Sequence, residues 1–358
     1  MSSDPSSSAL PGVLHHYSAR LTAFEYGSRD TTHQKRHTLL FIGGLSDGFG
    51  TVPFVNDIAA SLEDTEWSVF FILLSSSYSG WGVSSLGKDV EEIAECVEYI
   101  RQYKAGQAAQ SAEAGKVVLM GHSTGSQDVL HYLYAPNPLP HDPSFDAGLE
   151  HVARPPIDGA ILQSPVSDRE ALLHTLKTGV PGISPEELTK LYNEAIEFAK
   201  KPTYTEDKQD VTMPISMTAK LGFPGDTVLT CRRFLSLTSP DSPRHPEEDD
   251  VFSSDLDDQR LQQTFGMIAS RGLLKQTLLA LPGGSDQYVP PWVNKSELLK
   301  RWENATNAGA GGKKIWDDER SGPIPGATHS PSGDEQTEPR RELVSRVKGY
   351  LRQLEGSS

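Results

Sequence analysis

Short apolar runs that end abruptly in glycine or serine recur along the chain, and each predicts a buried strand. Thr38-Leu39-Leu40-Phe41-Ile42 stops at Gly43-Gly44, the pattern of a strand bounded by turn residues. Trp67 to Leu74 repeats it and runs into Ser75-Ser76-Ser77-Tyr78-Ser79-Gly80. Lys116 to Met120, Ile157 to Leu162 and Thr277 to Leu281 predict further strands, and Lys314 to Trp316 a weak last one. Helical periodicity lies between them. Val90, Ile93, Val97 and Ile100 share a stripe over Lys88 to Tyr103, Gln127 to Tyr134 follows the third strand, and Glu338 to Leu354 closes the chain. Strands alternating with helices predict a mostly parallel central sheet covered by helices on both faces.

The alternation breaks between Asp168 and about Met267. Ser184-Pro185-Glu186-Glu187 reads as a helix start, with Ser at the N-cap, Pro in the first turn and Glu187 placed to complete a capping box. Leu188, Leu191, Tyr192, Ala195, Ile196 and Ala199 then supply one apolar face. A second helix is expected near Asp226 to Phe234, followed by a loop from Thr238 to Asp258 rich in Pro, Ser and acid. No linker sets this stretch apart as a separate small domain. It therefore reads as an inserted cap over 168–267, carried by a core of 13–167 and 268–358, with 1–12 as a disordered Ser/Pro-rich tail.

Composition narrows the function classes. Of 358 residues, 36% are hydrophobic and 23% charged, and the formal net charge is -15. That balance suits a soluble protein with a sizeable core and disfavours a phosphate-backbone partner. No apolar run approaches the roughly 20 residues needed to span a bilayer. The N-terminal stretch has neither the basic region nor the apolar core of a secretory signal, and Cys96 and Cys231 are too few for a disulfide framework. The expectation is a cytoplasmic protein with no nucleic-acid and no membrane partner.

Gly121-His122-Ser123-Thr124-Gly125 matches G-x-S-x-G, and its surroundings carry more weight than the pentapeptide, because chance matches are easy in a chain with 31 glycines. The motif follows a predicted strand and precedes a predicted helix, the context of a nucleophile elbow. A lone serine hydroxyl is a poor nucleophile and needs an oriented base. Asp286 stands on the loop Pro282-Gly283-Gly284-Ser285-Asp286 after a late strand, and His329 on the small-residue turn Pro325-Gly326-Ala327-Thr328-His329 before the last helix. Together they give the order Ser, Asp, His of the α/β-hydrolase fold. Asp168, after the Ile157–Leu162 strand, is the rival acid. Ordinary roles for Asp286 and His329, as a turn-former and a surface histidine, are the alternatives. A developing oxyanion needs donors. Candidates are the N–H groups of Thr124 and of Leu45, the latter on the loop Gly43-Gly44-Leu45-Ser46-Asp47-Gly48, whose alternative is a plain glycine turn.

These features resemble the α/β-hydrolase superfamily across nearly the whole chain. More narrowly, Phe41-Ile42-Gly43-Gly44-Leu45-Ser46-Asp47-Gly48, Ser77-Tyr78-Ser79-Gly80-Trp81-Gly82 and Gly121-His122-Ser123-Thr124-Gly125-Ser126-Gln127-Asp128 resemble a fungal and plant family long described as of unknown function. Its best-understood branch is a fungal intracellular siderophore esterase that opens fusarinine C. The resemblance implies hydrolysis of the ornithine-ester bonds of that cyclic trihydroxamate, a small-molecule and iron-loaded partner, and no cofactor of the enzyme's own. Expected substrate contacts are Gly44, Tyr78 and Trp81, with Glu247, Glu248, Asp249 and Asp250 of the cap drawing a cationic siderophore. The plain alternative for the acidic residues is a solvated loop. Gly43 departs from the many superfamily members that carry His there. A carboxylesterase or thioesterase acting on a simpler acyl ester is the runner-up, and a catalytically silent hydrolase-fold binding protein the rival of another class. Gly309-Ala310-Gly311-Gly312-Lys313-Lys314 lacks the spacing of a phosphate loop, and no cluster has metal-ligand spacing.

Overall fold

The computed structural model describes residues 10–28, 35–106, 114–140, 151–201 and 211–356. Most of the expected tail, residues 1–9, lies outside the described residues, and Gly12 already opens a strand. Seven strands form one sheet in the order β1-β2-β4-β3-β5-β6-β7. They are β1 (Gly12–His16), β2 (Thr22–Tyr26), β3 (His37–Ile42), β4 (Trp67–Ile72), β5 (Val117–His122), β6 (Gly159–Gln163) and β7 (Leu278–Leu281). From β4 through β7 every pair is parallel, and β1 and β2 join the β4 edge antiparallel. Lys314 to Trp316 contributes only a bridge, Trp316 to Leu278.

Side chains alternate across the sheet, so each strand feeds two cores. Leu40, Ile42, Phe70, Ile72 and Leu119 face helices α2 (Leu86–Ala105), α3 (Thr124–Tyr134) and α8 (Lys295–Ala308). Leu39, Phe41, Val69, Phe71, Val118 and Met120 face α1 (Phe54–Ser61) and α9 (Thr337–Gly356). Covering both faces explains why the inner strands read as unbroken apolar runs. The β1–β2 hairpin escaped that reading because its core positions include polar groups that satisfy one another. Glu25, wholly buried, accepts from Lys104 Nζ at 2.7 Å and pairs with His15 Nε2 at 3.2 Å.

The inserted segment divides between two cores. Helices α4 (Asp168–Thr178), α5 (Pro185–Ala199) and α6 (Cys231–Thr238) enclose a third cluster built on Leu176, Leu188, Ala195, Phe234 and Leu237, into which Trp81 reaches from the sheet side. Ser184 caps α5 by accepting from Glu187 N–H at 3.2 Å. The helix expected near Asp226 begins at Cys231, because Thr230 supplies the cap. After it the chain returns to the sheet. Val251, Phe252, Leu261 of α7 (Asp258–Gln263), Phe265 and Ile268 join the α3/α8 core, with Phe265 stacked on Trp302 at 5.2 Å. The stretch from 251 therefore packs with the core rather than with the cap, contrary to the expected boundary at 267.

The acidic loop is corrected too. Asp249 and Asp250 are buried. Asp249 is held by Arg233 Nη1 at 2.6 Å and by Ser236 Oγ at 2.5 Å, and Asp250 accepts from Ser242 Oγ at 2.5 Å and from Ser253 Oγ. Beyond them Asp255 takes Arg169 and Asp258 takes Arg301. A buried carboxylate needs such partners, so Asp249 clamps the loop to α6 and Asp250 ties Ser242 to Ser253. Arg233→Met leaves Asp249 buried without its cation and is expected to cost about 3–5 kcal/mol, read as a lowered urea midpoint. A loss below about 1 kcal/mol would mean that the clamp does not hold the loop.

Candidate active site

The turn between β5 and α3 puts Ser123 at φ 55, ψ -124, a strained conformation for a residue with a side chain. The flanking glycines are required by packing. A Cβ on Gly121 would lie 2.0 Å from Gly125 O, and one on Gly125 would lie 2.4 Å from Ile42 O. Ser123 N–H donates to Gln163 O at 3.0 Å, and Ser126 Oγ donates to Gly121 O at 2.9 Å. The strand-turn-helix geometry of an elbow is thereby fixed from both sides.

Two loops from the far end of the sheet bring an acid and a base together. Ser285 N–H donates to Ala327 O, and Gly284 N–H to Ile324 O, both at 2.8 Å. A Cβ on Gly283 would meet Ala327 O at 2.8 Å, which accounts for the run of small residues there. Asp286 and His329 are both buried, and His329 Nδ1 lies 2.8 Å from Asp286 Oδ2. The other carboxylate oxygen accepts from Tyr288 N–H at 2.9 Å. A carboxylate cannot donate, so Nδ1 carries the proton and Nε2 is left as a base. The backbone of His329 is pinned at both ends: its N–H donates to Gln287 Oε1 at 3.1 Å, and its carbonyl accepts from Ser164 Oγ at 2.8 Å.

Ser123 and His329 line one cleft of about 410 Å³, with Gly44, Leu45, Asp168 and Tyr288. The Tyr288 ring packs edge-on against the imidazole of His329, 4.8 Å between centroids. His122 sits beside it at 5.0 Å. Burial, and secondarily the neighbouring His329, pull the His122 pKa down to about 3, so His122 stays neutral and puts no cation against the base. Burial pushes the Asp168 carboxyl up to about 6.

Leu45 N–H and Thr124 N–H have no acceptor among the described residues. Thr124 opens a helix, where a free N–H is normal; Leu45 lines the cleft, and Thr124 directly follows Ser123. Gly44 N–H is not available, since it donates to Asp47 Oδ2 at 2.8 Å. Gly44 instead makes room: a Cβ there would lie 2.7 Å from that of Ser123. Tyr78 and Trp81 do not line the cleft. They brace the 43–51 loop, Trp81 Nε1 donating to Ser46 Oγ at 3.1 Å and Tyr78 Oη accepting from Phe49 N–H at 3.0 Å. Glu247, Glu248, Asp249 and Asp250 do not line it either. Glu248 instead lies 3.4 Å from His131 Nε2, its pKa raised to about 7 by burial and by Asp249.

Sequence reasoning missed Asp47, Gln163, Ser164 and Gln287, which hold the other groups in place. Asp47 gave no local signal, because its side chain reaches back three residues to Gly44 N–H instead of forward to the backbone two residues on, as in an Asx turn. Among the described residues, no group of three or more His, Cys, Asp or Glu could hold a metal ion, and no helix is long and apolar enough to cross a membrane.

Residues 1–352 match the model of a family described as protein of unknown function (DUF1749). The chain is 51% identical to fusarinine C esterase sidJ of Aspergillus fumigatus, over 96% of each chain. It is 50% identical to an esterase of Emericella nidulans, over 98% of this chain and 95% of that one. Among solved structures it resembles siderophore hydrolase EstB of Aspergillus fumigatus, with 47% identity, a TM-score of 0.85 and coverage of 98% and 99%.

Proposed function

Because the chain belongs to the DUF1749 family and has the α/β-hydrolase fold of its relatives, we propose that it is a serine ester hydrolase of hydroxamate siderophores of the fusarinine C type. Ser123 Oγ attacks the ester carbonyl while His329 Nε2 takes its proton, and Asp286 stabilises the imidazolium. Leu45 and Thr124 N–H groups receive the oxyanion. The tetrahedral adduct collapses as His329 returns the proton to the departing alcohol. Water, deprotonated by the same imidazole, then releases the acid and frees Ser123. The reading extends to the iron-loaded siderophore as substrate, inside the cell, where opening the ring weakens the hold of its hydroxamates on iron.

The observation that carries the reading is the 2.8 Å bond between His329 and Asp286 in the cleft that also holds Ser123. Mass spectrometry of iron-loaded fusarinine C incubated with the protein tests it. Each cleaved ester adds one water, so ring-opened trimer and then shorter fragments are expected. Intact siderophore beside rapid hydrolysis of simple aryl esters would favour the general carboxylesterase instead.

A further inference from the structure

The cleft contains two carboxylates that the proposed reaction leaves unused, Asp47 and Asp168. Asp168 is the first residue of α4, at the step from the sheet into the cap. Its Oδ2 accepts from Gln127 Nε2 at 2.8 Å. Its Oδ1 has no hydrogen-bond partner, and no Lys, Arg or His pairs with either oxygen among the described residues. Gln127 is neutral and shares the same nitrogen with Asp249 O at 2.8 Å, so it orients the carboxylate without compensating its charge. The side chain is only half-buried and opens on the cleft.

The rest of the lining sharpens the point. Among the described residues, no Lys or Arg lines this cleft. Asp47 lines it, but both its oxygens are taken, by Gly44 N–H and Thr51 Oγ1. His122 is neutral. Burial raises the Asp168 carboxyl to about 6, as does Asp249, against the lowering effects of Gln127, Arg233 and His329. At neutral pH the group is therefore ionised despite its surroundings. A half-buried charge with one free oxygen and no cation bonded to it is costly unless something else supplies that cation.

We propose that Asp168 is a specificity residue, which receives an ammonium group carried by the substrate close to its scissile ester. The inference rests on the hydrolase reading of the Ser123 cleft. A charge-assisted hydrogen bond of this kind corresponds to a preference of about 10- to 100-fold over a substrate with the amine acylated.

The test compares one α-amino-acid aryl ester in its free-ammonium and N-acetylated forms, on the unaltered protein and on Asp168→Asn. The expected result is a kcat/KM ratio of about 10 to 100 in favour of the ammonium form, carried mainly in KM and collapsing toward one in the variant. An unchanged ratio in the variant, no preference in the unaltered protein, or equal losses on both esters would overturn it. The matching amides, titrated by calorimetry into the unaltered protein, give the same comparison as a ratio of Kd values. That measurement needs neither a variant nor turnover. Tighter ammonium binding without hydrolysis of any ester would sink the hydrolase reading alone, whereas hydrolysis without ammonium preference would sink only the assignment of Asp168.

Discussion

Ser123→Ala is expected to yield a folded chain whose ester turnover is lower by on the order of 10³-fold or more. The fold should survive because the hydroxyl makes no hydrogen bond among the described residues. The elbow is tied instead through Ser123 N–H, Ser126 and the packing of Gly121 and Gly125. Alanine keeps the Cβ that already tolerates φ 55, so the strain is neither relieved nor increased. Activity should not survive, because His329 would then have only water to activate. Circular dichroism together with initial rates decides the matter, and a fluorophosphonate probe that labels the unaltered protein should leave the variant unlabelled. Undiminished turnover by a pure, folded variant would remove Ser123 from the reaction.

Asp286→Asn is expected to slow turnover by about 10⁴-fold, through the proton position of the imidazole. Tyr288 N–H donates to one carboxylate oxygen, and an asparagine would keep that bond only by turning its carbonyl toward Tyr288. Its amide nitrogen then faces His329 Nδ1 and forces it to accept. The ring proton moves to Nε2, and the base is lost while the packing is unchanged. Asp168→Asn, tested on a neutral ester, should cost far less, because Asp168 makes no hydrogen bond to His329. A reversal of the two effects would transfer the supporting role to the acid after β6.

What was legible in the sequence follows from how completely each element is buried. Strands β3 to β7, covered on both faces, announce themselves as apolar runs, and so do α2 and α9 through their stripes. The β1–β2 hairpin and α8 do not. Glu25 and His15 look like surface residues until Lys104 and the opposing strand are in place. Helix α8 buries only Leu299, Trp302, Ala305 and Thr306 along an otherwise charged sequence. The serine, aspartate and histidine stood out because each sits on a turn of small residues, which suit close backbone approach better than they suit a strand or helix interior. The structure gathers all three at one end of the sheet. The roles of Asp249 and Asp250 were not legible. An acidic run looks the same whether it is solvated or neutralised, and the partners that decide this, Arg233 and Ser253, are not marked by local spacing.

The short turn from Gly80 to Val83 belongs to two structures at once. Trp81 lies in the core of the cap while its Nε1 holds Ser46 beside the cleft. Gly82 O accepts from Thr230 N–H at 2.9 Å, Trp81 O accepts from Arg233 Nε at 3.1 Å, and a Cβ on Gly82 would strike Val228 O at 2.0 Å. For recombination between relatives, the unit of exchange is therefore not the inserted segment alone. A graft of residues 168–250 would carry the lock without the key, and a compatible chimera has to bring 80–83 along. Drift in these four residues of the sheet domain is bound to drift in the cap, although the two are separated along the chain by the nucleophile itself.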